Sequence, residues 1–165
     1  MQLWDQVILP RADELSRLSR AELADLATST IERTTGLFAP PFAEYFPPRA
    51  AELVTSATRD GRSTAPAWQL DDAYLEQFTE SLDAVQAIPM RPGCGPLTMA
   101  ALSLVGGLAE ALDQDTALEI LSSCYEAILL SQLTGRVTLA DEQQNEQCQR
   151  ALAVQQDLIS RFSGN

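Results

Sequence analysis

The chain has 165 residues with 45% hydrophobic and 6% aromatic content, and its 23 acidic residues against 11 basic residues give a net charge of −12. The hydrophobic residues are mostly Leu, Ala, Ile and Val with few aromatic residues, a composition that favours helix over sheet. We therefore expect one all-α domain over residues 1–165, with about six to seven helices around a central apolar hairpin. An acidic surface repels phosphate groups, which excludes direct binding of nucleic acid or anionic membranes and favours a basic protein partner.

Every basic residue is Arg, and the chain contains neither Lys nor His. This composition excludes a histidine general base, a Schiff-base or P-loop lysine, and every metal site that contains His. Glu119 and Glu126 have a spacing found in di-iron bundles, but those bundles also need a Glu-x-x-His pattern. The sequence predicts no catalytic constellation, no metal site and no cofactor.

Cys94, Cys124 and Cys148 are odd in number and not in C-x-x-C spacing, which predicts reduced thiols. The N-terminal stretch has no basic region followed by an apolar one, so no signal peptide is predicted. No segment reaches the roughly 20 apolar residues that span a bilayer. We therefore expect a cytoplasmic protein.

The first 48 residues predict short elements before and after one long helix. Residues 1–18 form a helix or arm anchored by Trp4, and Ser19 with Glu22 forms a capping box that opens a helix ending at Gly36. Residues 37–48 are rich in aromatic residues and prolines, which predicts a packed corner, with a peptide-binding groove as the alternative.

Pro48 is suited to the first position of a helix that runs to about Arg59 and ends at Gly61. The next residues, 60–66, have the composition of a mobile surface loop. Asp71 then caps a helix through Ile88. One face of that helix carries the carboxylates Asp72, Glu76, Glu80 and Asp83, which we call the acidic ridge. Such a ridge is either a solvated face or a docking surface for a basic partner.

Residues 89–96 form a rigid Pro- and Gly-rich connection that matches neither a Walker motif nor G-x-G-x-x-G. It leads into the central hairpin, residues 97–134, whose apolar helices span 97–112 and 116–133. Gly106 and Gly107 lower helix propensity there, so we expect a packing reason for the pair, such as a close crossing by another helix.

Thr138 and Asp141 form a second capping box, which opens a last helix extending to about Phe162. The first half of this helix is polar almost all round and is predicted to lie on the surface. Its Glu142 and Glu146 join the acidic ridge as candidate contacts for a basic partner.

Several stretches in this order resemble the YjaG-like bacterial family of small all-helical proteins of unknown function: residues 24–33, 38–45, 74–89, 100–104, 145–146 and 155–158. This resemblance implies a helical fold and no established active site. The chain is also similar in class to immunity proteins of bacterial toxin systems, many of which are small, acidic and non-catalytic.

Three functions follow as hypotheses. The leading one is a non-enzymatic protein that binds a basic protein partner, as an immunity or antitoxin protein binds a toxin. A second is a small-molecule-binding or enzymatic domain with a pocket near residues 89–96, in which Arg91 holds an anion and Cys94 acts as nucleophile. The third is a homo-oligomeric structural protein.

Overall fold

All regular secondary structure in the computed structural model, which describes residues 1–164, is helical, so the all-α prediction is confirmed. The bounds in chain order are α1 Gln2–Val7, α2 Ala12–Leu15, α3 Arg20–Thr35, α4 Phe42–Tyr45, α5 Pro48–Ser63, α6 Asp72–Gln86, α7 Cys94–Ala109, α8 Gln114–Gln132, α9 Leu139–Gln144 and α10 Glu146–Ser163. Six of these described helices have 15 to 19 residues: α3, α5, α6, α7, α8 and α10. A short 3-10 helix, Leu9–Arg11, joins α1 to α2.

Side-chain caps begin the helices where the sequence predicts them. Ser19 and Glu22 form the predicted capping box of α3, and Thr138 and Asp141 form that of α9. The Asp71 carboxylate accepts a hydrogen bond of 2.8 Å from the Tyr74 backbone N–H at the start of α6. Each cap satisfies an N–H group that would otherwise have no partner at a helix start.

The buried apolar residues form one contiguous cluster that extends from Leu3 to Ile159. α7 and α8 pack against each other and supply many of its fully buried side chains, and α3, α5 and α10 pack around them. α6 lies at the edge of this core, against α5 and α7, and buries only Phe78, Leu82 and Val85.

The first residues pack on α9 and on the middle of α10. The Trp4 indole N–H donates to Gln155 Oε1 at 2.9 Å, and the Leu3 backbone N–H donates to Glu142 Oε2 at 2.7 Å. Trp4 is therefore an anchor, as predicted. The aromatic stretch forms a packed corner in which the Phe38 and Phe46 rings lie 5.0 Å apart, edge to face.

Helix α5 does not end at Gly61 as predicted. It continues to Ser63. Gly61 lies where α5 approaches α7, and a Cβ atom there would be 2.8 Å from the Leu108 side chain, so the glycine allows this close contact within the helix. Residues 60–63 are therefore helical rather than a mobile loop. The Arg62 guanidinium ties this end of α5 to α3 through an ion pair of 3.1 Å with Asp25 and another with Glu32.

The packing reason predicted for Gly106 and Gly107 is found at Gly107 alone, and it is not a crossing helix. A Cβ atom on Gly106 would meet nothing within 4 Å, and one on Gly107 would overlap the Leu112 side chain, which follows α7 in the same chain. Gly107 therefore makes room for the turn after α7. The predicted last helix is divided at Asn145, whose extended backbone ends α9 and whose side chain accepts from the Cys148 N–H to start α10.

Candidate functional site

The acidic ridge occupies the outer face of α6. Asp72, Glu76, Glu80 and Asp83 are all exposed, on the side of the helix opposite Phe78, Leu82 and Val85. Within the part of the chain that the structure describes, none of the four carboxylates forms a salt bridge. Their charges therefore have no opposite charge within ion-pair distance among the described residues.

No basic residue occurs between Arg62 and Arg91 in the sequence, a stretch that includes all of α6. The neighbouring helix α5 brings Arg49 and Arg59 to the side of α6, but among the described residues neither forms an ion pair with the four carboxylates. Closely spaced carboxylates without an ion-pair partner produce a local negative potential that attracts a cationic surface.

A groove between α5 and α6 runs beside the acidic ridge. It contains two adjoining cavities of about 300 and 320 Å³ that share Glu52, Leu53 and Ser81. The first, which we call the Tyr74 cavity, is lined by Glu52, Leu53, Ser56, Asp60, Tyr74, Gln77, Phe78 and Ser81. The second extends toward the C-terminal end of α6 and is also lined by Arg49, Ala84 and Val85. The groove has an apolar floor and a polar, acidic rim.

A hydrogen bond between Tyr74 and Asp60 closes one end of the Tyr74 cavity. The phenol donates to Asp60 Oδ2 at 2.6 Å and lies 3.4 Å from the Ser56 carbonyl oxygen. Burial raises the pKa of Tyr74 well above its ordinary value of 10.0, and the bond to the Asp60 carboxylate raises it further. The phenol is therefore a fixed hydrogen-bond donor and a poor general base.

Arg59 lies next to the acidic rim of the same cavity. Its guanidinium is 3.2 Å from Asp60 Oδ1 and 3.7 Å from Glu52 Oε1. The Arg59 side chain is 59% exposed, so solvent screens these contacts and leaves them weak. The two rim carboxylates thus have a cationic neighbour that can move away.

Searches of protein-family models, curated proteins and solved structures find no match to this chain. The resemblance to the YjaG-like family therefore stays a prediction. Over residues 1–164, no group of three or more Cys, Asp or Glu side chains is arranged to hold a metal ion, and no helix has the length and apolar character needed to cross a bilayer.

Glu142 and Glu146 are not the paired surface contacts that the sequence predicts. Glu142 is only 2% exposed, because the first helix folds over α9 and the Leu3 N–H binds its carboxylate. It cannot contact a partner while α1 is in place. Glu146 is exposed, but it lies on the next helix and forms an ion pair with Arg150 one turn away.

Arg91 and Cys94 lie close together without forming a reactive site. The Arg91 guanidinium stacks 5.2 Å from the centre of the Tyr45 ring, while the fully buried Cys94 thiol faces the Tyr45 carbonyl oxygen at 3.9 Å. Burial raises the pKa of Cys94 to about 11, so the thiolate needed for nucleophilic attack is scarce at neutral pH. Gly93 packs directly against the backbone of α8, which fills the space near this loop.

The α5 side of the groove is not among the sites predicted from the sequence. Glu52, Ser56 and Asp60 follow one another at four-residue spacing, which places them on one face of a helix. This signal was present in the sequence. It was lost because ending the helix before Gly61 assigned Asp60 to a loop.

Proposed function

We propose that this protein is a non-enzymatic binding protein whose partner is a basic protein, in the manner of an immunity or antitoxin protein that neutralises a bacterial toxin. The observation that carries the proposal is an unneutralised acidic ridge beside a groove with an apolar floor. The ridge attracts the partner, and the groove gives it a place to bind. The packed pair α7 and α8 serves as the scaffold that holds α5 and α6 in position.

Electrostatics determines where the partner first makes contact. Screening limits charge interactions to about 8 Å at physiological ionic strength, so only charges close together act as a unit. Glu76 and Glu80 are one helical turn apart and meet this condition. A complementary charged surface mainly accelerates association, whereas contacts in the groove slow dissociation.

The two rival hypotheses have less support. The burial and raised pKa of Cys94 oppose a nucleophilic role. Among the described residues, the exposed large apolar side chains are Leu9 and Met99, which lie on separate helical segments and provide no broad apolar face for self-association. Three free, buried cysteines support a cytoplasmic setting for the proposed partnership.

Two variants with identical changes in charge test the proposal. Glu76→Arg/Glu80→Arg reverses two charges of the acidic ridge. The control Glu110→Arg/Glu119→Arg reverses the charges of two exposed glutamates elsewhere, one directly after α7 and one on α8. The basic protein captured by the unmodified chain is purified, and its Kd is measured for all three proteins. We expect the ridge variant to bind about ten-fold more weakly or worse, and the control to stay within about two-fold. Equal losses in both variants would show that only net charge matters, and no loss in either would show that the ridge is a solvated face.

A further inference from the structure

We propose that the Tyr74 cavity receives one arginine side chain of the basic partner. This inference rests on the proposed function, because it assigns a specific contact within the same groove. A volume of about 300 Å³ is at the lower end of ligand pockets and suits a single long side chain better than a whole peptide.

The cavity presents hydrogen-bond acceptors that match a guanidinium. Glu52 and Asp60 provide two carboxylates at the rim, Ser56 provides a hydroxyl oxygen from the same helix, and Ser81 provides one from α6. The Ser56 hydroxyl donates to Glu52 Oε1 at 2.9 Å, which helps to fix that carboxylate. Arginine forms paired hydrogen bonds with carboxylates in a planar geometry that lysine cannot reproduce.

The walls of the cavity suit the rest of an arginine side chain. The Tyr74 and Phe78 rings lie nearly parallel, 19° apart, with their centres separated by 6.4 Å. Leu53 completes the apolar part of the lining. A guanidinium packs well on aromatic faces, and its methylene stem packs on apolar surface. The chain already uses this packing elsewhere, where Arg62 lies over Trp68 at 5.6 Å.

The protein's own Arg59 shows that the rim accepts a guanidinium. It contacts both Asp60 and Glu52 from the solvent side, at 3.2 and 3.7 Å, without being part of the cavity lining. An arginine of the partner would enter the cavity and compete with Arg59 for the same two carboxylates. An anionic side chain would be repelled there, and an apolar one would form no hydrogen bond with the two carboxylates.

The test uses Nα-acetyl-arginine methylamide as the probe, titrated into the full chain while amide chemical shifts are recorded by NMR. The corresponding lysine compound is titrated in parallel. We expect saturable shifts at residues 52–60 and 74–81, with arginine binding about three-fold or more tightly than lysine. Shifts of equal size for both compounds, shifts spread along the acidic ridge, or no saturable shift would each overturn the assignment.

Matched variants remove the effect of net charge. Asp60→Asn keeps an oxygen that accepts from Tyr74 but loses the charge, and we expect it to weaken arginine binding about five-fold. Asp83→Asn removes the same charge from the ridge outside the cavity and should change binding by less than about two-fold. Arg59→Gln removes the competing guanidinium and should tighten binding. If Asp60→Asn and Asp83→Asn weaken binding equally, the cavity has no specific role. The comparison of Glu76→Arg/Glu80→Arg with its control is independent of this result and still decides whether a basic partner binds at the acidic ridge.

Discussion

Replacing Gly93 with Ala tests how closely the connection before α7 packs on the rest of the fold. Gly93 is buried, has a backbone φ of +96°, and a Cβ atom there would overlap the Ala127 carbonyl oxygen and lie 3.3 Å from the Ser131 nitrogen. The left-handed backbone costs an alanine about 1 to 2 kcal/mol, and forcing α7 and α8 apart costs about 1 to 3 kcal/mol more. We therefore expect Gly93→Ala to lower the free energy of unfolding by about 2 to 5 kcal/mol.

Gly106 provides the matched control in the helix that follows. A Cβ atom there meets nothing within 4 Å, so Gly106→Ala should raise the free energy of unfolding by about 0.5 to 1 kcal/mol through helix propensity alone. Urea unfolding followed by circular dichroism measures both variants. A loss below about 1 kcal/mol in Gly93→Ala would refute the described packing between this connection and α8.

Three further predictions follow from buried polar groups. Glu142→Ala leaves the Leu3 N–H without its acceptor, so we expect a loss of about 1 to 3 kcal/mol and faster hydrogen exchange in residues 2–7; unchanged exchange would contradict this anchor. Tyr74→Phe removes the bond to Asp60 and should cost about 1 kcal/mol in urea unfolding, whereas no loss would mean that the bond contributes nothing. Burial raises the pKa of the three cysteines from 9.0 to about 11 or 12. The free energy of unfolding should therefore be constant below pH 9 and fall at higher pH, because the thiols of the unfolded chain ionise first. A thiol reagent at pH 8 should label only unfolded chains, and rapid labelling of the native protein would contradict the burial of these thiols.

Local signals in the sequence were sufficient to predict the starts of α3, α6 and α9. A cap such as Ser19, Asp71 or Thr138 acts on backbone groups within three residues, so its effect does not depend on the rest of the fold. The acidic ridge was predictable for the same reason, because helical spacing alone places its four residues on one face. The exposed outer face of α6 agrees with that pattern.

Features that depend on distant residues could not be read from the sequence. Glu142 is buried because Leu3, 139 positions away, folds over it. Gly61 lies inside a helix at a close contact with Leu108, although glycine by itself is typical of a helix end. The Tyr74 cavity exists because α5 and α6 pack side by side and bring Asp60 to Tyr74.

The most direct test of the central claim is the association rate of the purified basic partner at low and high salt. If the acidic ridge guides the partner, the rate for the unmodified chain should fall about ten-fold or more between 50 and 500 mM salt. The control Glu110→Arg/Glu119→Arg should show nearly the same fall. Glu76→Arg/Glu80→Arg should associate slowly at low salt and respond little to added salt. Equal salt dependence in the two variants, or none in the unmodified chain, would contradict the assignment of α6 as the docking surface.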